Sequence, residues 1–505
     1  MCEKGRHVKR FTPDLGGDHL RKDSRKDRKI GEIIIDGASG RLGVYVYGPE
    51  SVTVGALTVA EWGERPRFLA VLQITGLRYV DPYSTGENID TERKVGLNID
   101  REVRYLPGRY VVGDVRVLAT YDVSESRWRQ IPPMAIPPRT PVRLLDQSVF
   151  EKLYGGCVHC VSLGRLAYNP DVEIWLDVNA LFRLHQLVVG STGSGKSWEV
   201  AVMLENLAEL NPRPYVIVLD LSREYCDVVE QLGGICLRAF KDVVPDLKVL
   251  SPSEFTQLAG RVLTSELQRE IVEVGFEEFK RSLGTTPQDL LNSVLSTAKR
   301  FNARNETVEN LKMRLSNFLA NLYGTLRLAP TDVGIVAKML NDRGLVAVEV
   351  EGGAELNIMA SWVYAALRQM RAARMLAPRG VIVVLDEAHQ VVPRDEDTPA
   401  KGAVLRALRY GRHDGVYLLL ITQYPASLEP EVLALVSTVH VFSLPHSQLG
   451  VLREKVPGAE DVDVARLPTG ICVIGGTRDR FPFPLVVAVR SERKTTHKAT
   501  TLPVI

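Results

Sequence analysis

Two stretches of the chain hold residues whose types and spacing can act on a nucleoside triphosphate. The first runs Gly190, Ser191, Thr192, Gly193, Ser194, Gly195, Lys196, Ser197, and fits G-x-x-x-x-G-K-[ST] with an apolar run before it and a helix-like segment after it. Glycines let backbone N–H groups turn onto phosphate oxygens, and a helix N-terminus adds partial positive charge. Lys196 would reach the β- and γ-phosphates, and Ser197 would ligate Mg²⁺. Trp198 follows the loop directly and borders the expected nucleotide, either as helix packing or beside the base. The second stretch, Val381 to His389, ends five apolar residues in Asp386 and Glu387. At a strand end Asp386 would hold Mg²⁺ through its water shell and Glu387 would polarise the attacking water. ATP and Mg²⁺ are the cofactors this implies, with hydrolysis as the expected outcome.

A third stretch, Arg406 to Pro425, adds catalytic candidates. Gln423 closes an apolar strand, where its amide can sense the γ-phosphate, and Arg409 and Arg412 sit just upstream at helical spacing. They could act as arginine fingers on a neighbour's nucleotide, a role typically worth about 10³ to 10⁵ in rate. Asp386-Glu387-Ala388-His389 also spells the tag of two-lobed helicases, but the chain beyond His389 is too short for a second motor lobe. A single-lobed motor must find its other half in another subunit.

The elements that position these residues can be read from texture. Residues 1–29 form a basic arm expected to be disordered, with ten Lys and Arg against five acids, although the whole chain carries only +2. Residues 30–130 show short Val-, Ile- and Tyr-rich runs broken by turns, the pattern of a small antiparallel β-barrel. The prolines of residues 131–145 mark a linker. Residues 146–250 and 344–490 alternate continuous apolar strands with helices, the pattern of a parallel sheet covered on both faces. Between them, residues 251–343 read as a helical insertion: Ser251 to Glu254 and Thr286 to Asp289 place helix starts, and Leu311, Leu315, Phe318, Leu319 and Leu322 share one face. Residues 491–505 form a tail. The fold class is therefore an α/β P-loop core with an inserted helical subdomain behind a small antiparallel β-barrel.

A composition of 45% hydrophobic and 25% charged residues excludes a disordered or fibrous chain. No apolar run reaches the ~18 residues a bilayer span needs, so no membrane association and a cytoplasmic location are expected. Of six cysteines only Cys157 and Cys160 are close in sequence. They could be half of a zinc site or a redox pair, with ordinary thiols as the default.

The ordered set of "HQLVVGSTGSGKS", "VLDLSREY" (Val218 to Tyr225), "VLDEAH", "RYGRHDGVYLLLITQ" and "LPTGICVIGG" (Leu467 to Gly476) resembles the HerA family of archaeal hexameric DNA translocases, in the wider HerA/FtsK group of RecA-like ATPases. The resemblance implies that the α/β P-loop core is RecA-like, and it implies a homo-hexamer threading double-stranded DNA, coupled to a NurA-like nuclease that docks on the barrel and resects DNA ends. It also implies a tail lying as a brace on the neighbouring subunit, and places Thr469 and Gly470 beside the nucleotide. There are departures. The family has Arg directly before the His that opens the P-loop strand; here Leu184 fills that place and Arg183 lies one earlier. Ser222 and Arg223 stand where the family often has a His-Gly pair. A DNA-packaging or conjugation ATPase of the same group is the nearest alternative, and a protein-remodelling or secretion ATPase the alternative of another class. Lys299, Arg300 and Arg304 are candidate DNA contacts on the insertion.

Overall fold

The computed structural model describes residues 29–35, 42–47, 52–63, 67–80, 110–129, 135–154, 159–182, 185–323, 330–456, 463–476 and 483–495. Residues 1–28 of the basic arm, Arg183, Leu184, Cys157 and residues 496–505 lie outside them.

Strands β1 (Lys29–Ile35), β2 (Leu42–Val46), β3 (Leu57–Trp62), β4 (Phe68–Val80), β5 (Tyr110–Asp122), β6 (Arg127–Arg129) and β7 (Pro141–Leu144) form one antiparallel sheet ordered β2-β1-β7-β3-β4-β5-β6. A β2–β5 pairing closes six of them into a barrel, leaving β6 as an appendage. Ile33, Val44, Ala60, Leu72, Ile74 and Val142 fill its interior.

The linker expected at residues 131–145 is overturned by β7, which pairs with β1 and β3 and completes the barrel wall. Pro141 is the first residue of that strand, where a missing N–H costs the ladder nothing, so the prolines shape the entry to the strand instead of forbidding it.

The motor domain is built on an eleven-stranded sheet. In chain order its strands are β8 (Cys160–Leu166), β9 (Asn169–Asp177), β10 (His185–Val189), β11 (Tyr215–Asp220), β12 (Ile235–Arg238), β13 (Leu345–Glu349), β14 (Val381–Leu385), β15 (Val416–Thr422), β16 (Val436–Val441), β17 (Ile471–Gly476) and β18 (Leu485–Val489). Their spatial order is β12-β13-β11-β14-β15-β10-β16-β17-β18-β8-β9. The first seven strands in this order pair in parallel, as their continuous apolar sequences require for burial on both faces. The last four are antiparallel, a departure from the all-parallel expectation. Two apolar cores cover the two faces of the sheet. The β8–β9 hairpin carries the barrel: the buried Asn169 amide accepts from Leu57 N–H (2.9 Å) and donates to Leu57 O (2.9 Å) and Leu145 O (3.1 Å).

The inserted helices Pro252–Leu258, Glu266–Arg281, Pro287–Arg300 and Asn305–Tyr323 have their own core, including stacked Phe255 and Phe276. Both expected helix starts are reciprocal capping boxes. The insertion ends earlier than residue 343, because helix Val333–Arg343 packs Val333, Val336, Ala337 and Leu340 into the core on one face of the sheet. Cys226 and Cys236 form a disulfide between helix Cys226–Gln231 and β12, a pairing ten residues apart that the sequence reading did not find. Cys160 is also disulfide-bonded.

Candidate nucleotide site

Strand β10 delivers the phosphate loop to the C-terminal edge of the sheet. A Cβ on Gly190 would lie 2.6 Å from both Phe442 Cβ and Ser194 Oγ, so only glycine can leave the strand there. Gly195, at φ 116°, caps helix Lys196–Glu209 in a conformation that side chains resist. Lys196 folds over the loop, donating from Nζ to Ser191 O at 2.9 Å. Burial draws its ammonium below the ordinary range, against the opposing pull of Glu387, Glu224 and Asp386.

The two carboxylates stand where β14 ends. Asp386 is 3% exposed and accepts from the N–H groups of Ser222 and Glu387, both at 2.9 Å. Burial lifts its carboxyl to about 6 despite the Ser222 hydrogen bonds, and the charges of Glu387 and Asp220 add to the rise. Such an acid becomes a carboxylate beside a divalent cation. The hard oxygen donors of Ser197 and Asp386 fit Mg²⁺. Glu387 has a backbone φ of 45°, strained for a non-glycine residue. Burial pushes its carboxyl up, but His389, Gln423 and the charge of Lys196 outweigh that and hold it below the ordinary range. It is held ionised at neutral pH, the state in which a carboxylate can accept a proton.

Gln423 follows β15 and ties these pieces together: its Nε2 donates to Glu387 Oε1 (2.7 Å) and its Oε1 accepts from Thr192 Oγ1 (2.7 Å). Thr469 Oγ1 lies 3.4 Å from Gly193 O, and Gly470 N–H donates to Ser194 O at 2.9 Å, so "LPTG" buttresses the phosphate loop. A cleft of about 880 Å³ opens here, lined by Lys196, Ser197, Thr469 and Gly470 from the expected set and by Arg223 and Glu224 from the turn after β11. That turn is shaped by Asp220, which accepts from the N–H groups of Glu224, Tyr225 and Cys226. "VLDLSREY" was the available signal for it, but not for Arg223 and Glu224 as lining residues.

Other candidates fall elsewhere. Trp198 lines the cleft, but its Nε1 donates to Arg490 O (2.9 Å) and Arg493 covers its ring at 4.7 Å, so a packing role is met within the chain. Arg409 and Arg412 precede β15 while Gln423 follows it. Seven strand residues at about 3.3 Å each put them roughly 23 Å from this chain's own γ-phosphate position. Arg409 grips Glu431 through Nε and Nη2 at 2.5 Å, and Arg412 is exposed. Arg300 is engaged by Glu278.

Of the tail expected at residues 491–505 as a brace on a neighbour, the described part, Ser491 to Thr495, lies on this chain's own phosphate-loop helix, and the remainder lies outside the described residues. Arg490, Arg493 and Thr495 all converge on the buried Glu205, and a carboxylate with that many donors holds the segment in cis.

A phosphate loop, an Asp-Glu strand end and a glutamine on the strand between them, in the order β16-β10-β15-β14-β11, define a RecA-like P-loop ATPase. Residues 161–366 match the family model described as "Helicase HerA, central domain". The chain is 25% identical over 436 residues to the DNA double-strand break repair helicase HerA of Pyrococcus furiosus, covering 74% of this chain and 76% of the relative. It is 24% identical over 373 residues to a probable helicase of Methanocaldococcus jannaschii, covering 71% and 70%. The structure of VirB4 of Thermoanaerobacter pseudethanolicus superposes with a TM-score of 0.50 at 17% identity, covering 66% of this chain and 96% of that one, a likeness of fold. Within its class the chain is similar to the HerA helicases, most directly over the stretch that the central-domain model matches. No helix among the described residues is long and apolar enough to cross a membrane.

Proposed function

We propose that the chain is an ATP-driven translocase and helicase on double-stranded DNA, acting as a ring of six in DNA end resection and double-strand-break repair. Lys196 and the backbone of Gly190 to Ser197 bind the phosphates. Ser197 and Asp386 would hold Mg²⁺, which supplies charge neutralisation at the phosphates when bound. Glu387 takes up the proton of the attacking water, and Gln423 senses the γ-phosphate. Arg409 and Arg412 serve the nucleotide of the next subunit, and Thr469 and Gly470 border this one's.

The observation that carries this reading is the placement of the two arginines at the end of β15 opposite to Gln423. A single-lobed site has its own carboxylates and sensor, while its candidate fingers lie at the far end of β15, Arg409 paired with Glu431 and Arg412 exposed, a placement that favours action on a neighbour's nucleotide over this chain's own. The similarity to DNA double-strand break repair helicases directs the motor to DNA, and the barrel offers a platform for a NurA-like nuclease. DNA contact of this kind is electrostatic and independent of sequence.

ATP turnover with and without linear duplex DNA tests the reading. Stimulation of severalfold, lost with added salt, is expected; turnover indifferent to duplex, or stimulated by unfolded polypeptide instead, would favour the protein-remodelling alternative.

A further inference from the structure

Glu387 is gripped on one oxygen and bare on the other. Oε1 accepts from Gln423 Nε2, and that amide reaches on to Thr192 in the phosphate loop. Oε2 is buried and has no well-aligned donor among the described residues. His389 Nδ1 lies 3.3 Å from it without the alignment of a hydrogen bond. The same Nδ1 lies 3.1 Å from Thr422 Oγ1, and the imidazole meets the Tyr424 ring edge-on at 5.1 Å. Thr422 Oγ1 also accepts from Tyr424 N–H at 3.0 Å, which fixes that hydroxyl. The imidazole is therefore seated on β15 and the turn after it, independently of Glu387.

We propose that His389 is a positioning residue for Glu387. The two arms on the carboxylate differ in what they are tied to. Gln423 is tied to Thr192, so a γ-phosphate that draws the glutamine or the loop away releases Oε1. His389 is tied to the sensor strand, so a small ring rotation delivers Nδ1–H to Oε2 and keeps the carboxylate aimed while Oε1 accepts the water's proton. Glu387 sits on a strained left-handed backbone, and a second hold on its side chain helps keep the carboxylate aimed. Orientation errors of about 1 Å at a reacting group can cost about a hundredfold. The inference rests on Glu387 being the base.

The test uses the full chain with His389→Ala, His389→Asn and His389→Gln, measuring kcat and, separately, equilibrium ATP affinity. The alanine variant should lose about tenfold to a hundredfold in kcat, with ATP affinity within about twofold. An asparagine N–H falls near the place of Nδ1 and should restore kcat to within about threefold of the parent. A glutamine N–H falls near Nε2 and should not. Combining His389→Ala with Glu387→Gln should add no loss beyond Glu387→Gln alone. An alanine variant with unaltered kcat, a loss that appears in affinity instead, or equal rescue by asparagine and glutamine overturns the proposal. Should the alanine variant not fold, Thr422→Val removes the seat of the ring, and a kcat loss without an affinity loss is again expected; undiminished kcat overturns the inference. Near-normal turnover of Glu387→Gln would remove the base itself. An inactive Glu387→Gln beside a normal His389→Ala removes only the role of His389.

Discussion

Replacing Glu205 by alanine should free the C-terminal segment from the phosphate-loop helix. Glu205 is fully buried and accepts from Arg490 Nη2 (2.5 Å), Arg493 Nε (3.4 Å), Thr495 N–H (3.0 Å) and Thr495 Oγ1 (2.5 Å). Burial alone would raise its carboxyl, but the Thr495 hydrogen bonds and Arg490 hold it below the ordinary range. Arg493, whose side chain is only 2% exposed, would lose the Glu205 carboxylate that faces its buried charge. Removing one partner of a buried ion pair costs about 3 to 5 kcal/mol. The segment can escape most of that cost by detaching, since it is the last stretch of the sheet domain. A cost of about 3 kcal/mol multiplies its open population by about 150. The probe is native-state hydrogen exchange at Arg490 N–H, which donates to Leu163 O at 3.0 Å and does not itself touch the substituted side chain. Exchange should quicken by about two orders of magnitude. Val489 and Ser491 line the nucleotide cleft and Arg493 covers Trp198, so ATP affinity should fall with it. Glu209→Ala is the internal control: its pair with Lys494 is more than half exposed on both sides and is worth about 0 to 1 kcal/mol. Arg490 exchange within threefold of the parent in Glu205→Ala would refute the reasoning, as would an equal effect of Glu209→Ala.

Glu387→Gln should retain ATP binding within about threefold while kcat falls by about 10² to 10⁴, the usual worth of a general base; turnover and equilibrium binding measured side by side check this, and near-normal turnover would remove Glu387 from the role. His185 should make folding sensitive to mild acid. Its ring accepts from Leu418 N–H at Nδ1 and donates from Nε2 to Leu408 O, so the neutral form is required, and burial pushes its pKa down to about 4. Between that value and an unfolded pKa of about 6.5 the unfolded chain binds the extra proton, so the contribution is complete above about pH 6.5 and drains away as pH falls toward 4. About 2 kcal/mol should be lost between pH 7 and pH 5. Thermal melting of the parent and of His185→Gln at both pH values checks it; an equal drop in the variant would assign the loss to other groups.

The parts of the candidate nucleotide site were largely legible because each is local in sequence. The phosphate loop needs glycines at fixed spacing, and Asp386 and Glu387 announce themselves by following five apolar residues. The β13–β11–β14–β15–β10 strands were legible for the same reason, since burial on both faces leaves continuous apolar runs. What was not legible depends on contacts made across long sequence separations. Pro141 to Leu144 looked like a linker because its partners, β1 and β3, lie far upstream. Glu205 gave no sign of receiving Arg493 and Thr495 nearly three hundred residues later. The antiparallel strands β17, β18, β8 and β9 come from opposite ends of the motor domain, so no local alternation with helices marked them. His389 was read only as the last letter of a familiar tag, and its place against Glu387 and Thr422 appears only when β14 and β15 are brought together.

Mixing subunits tests the central claim, that each nucleotide site is completed by the neighbouring chain, most directly. Parent protein is reassembled with rising fractions of an Arg409→Ala, Arg412→Ala double variant, and duplex-stimulated ATP turnover is followed against the fraction added. Activity should fall faster than the parent fraction, because each altered chain silences a site on its neighbour and interrupts a ring. A strictly linear decline, or full turnover by isolated single chains, would contradict the account.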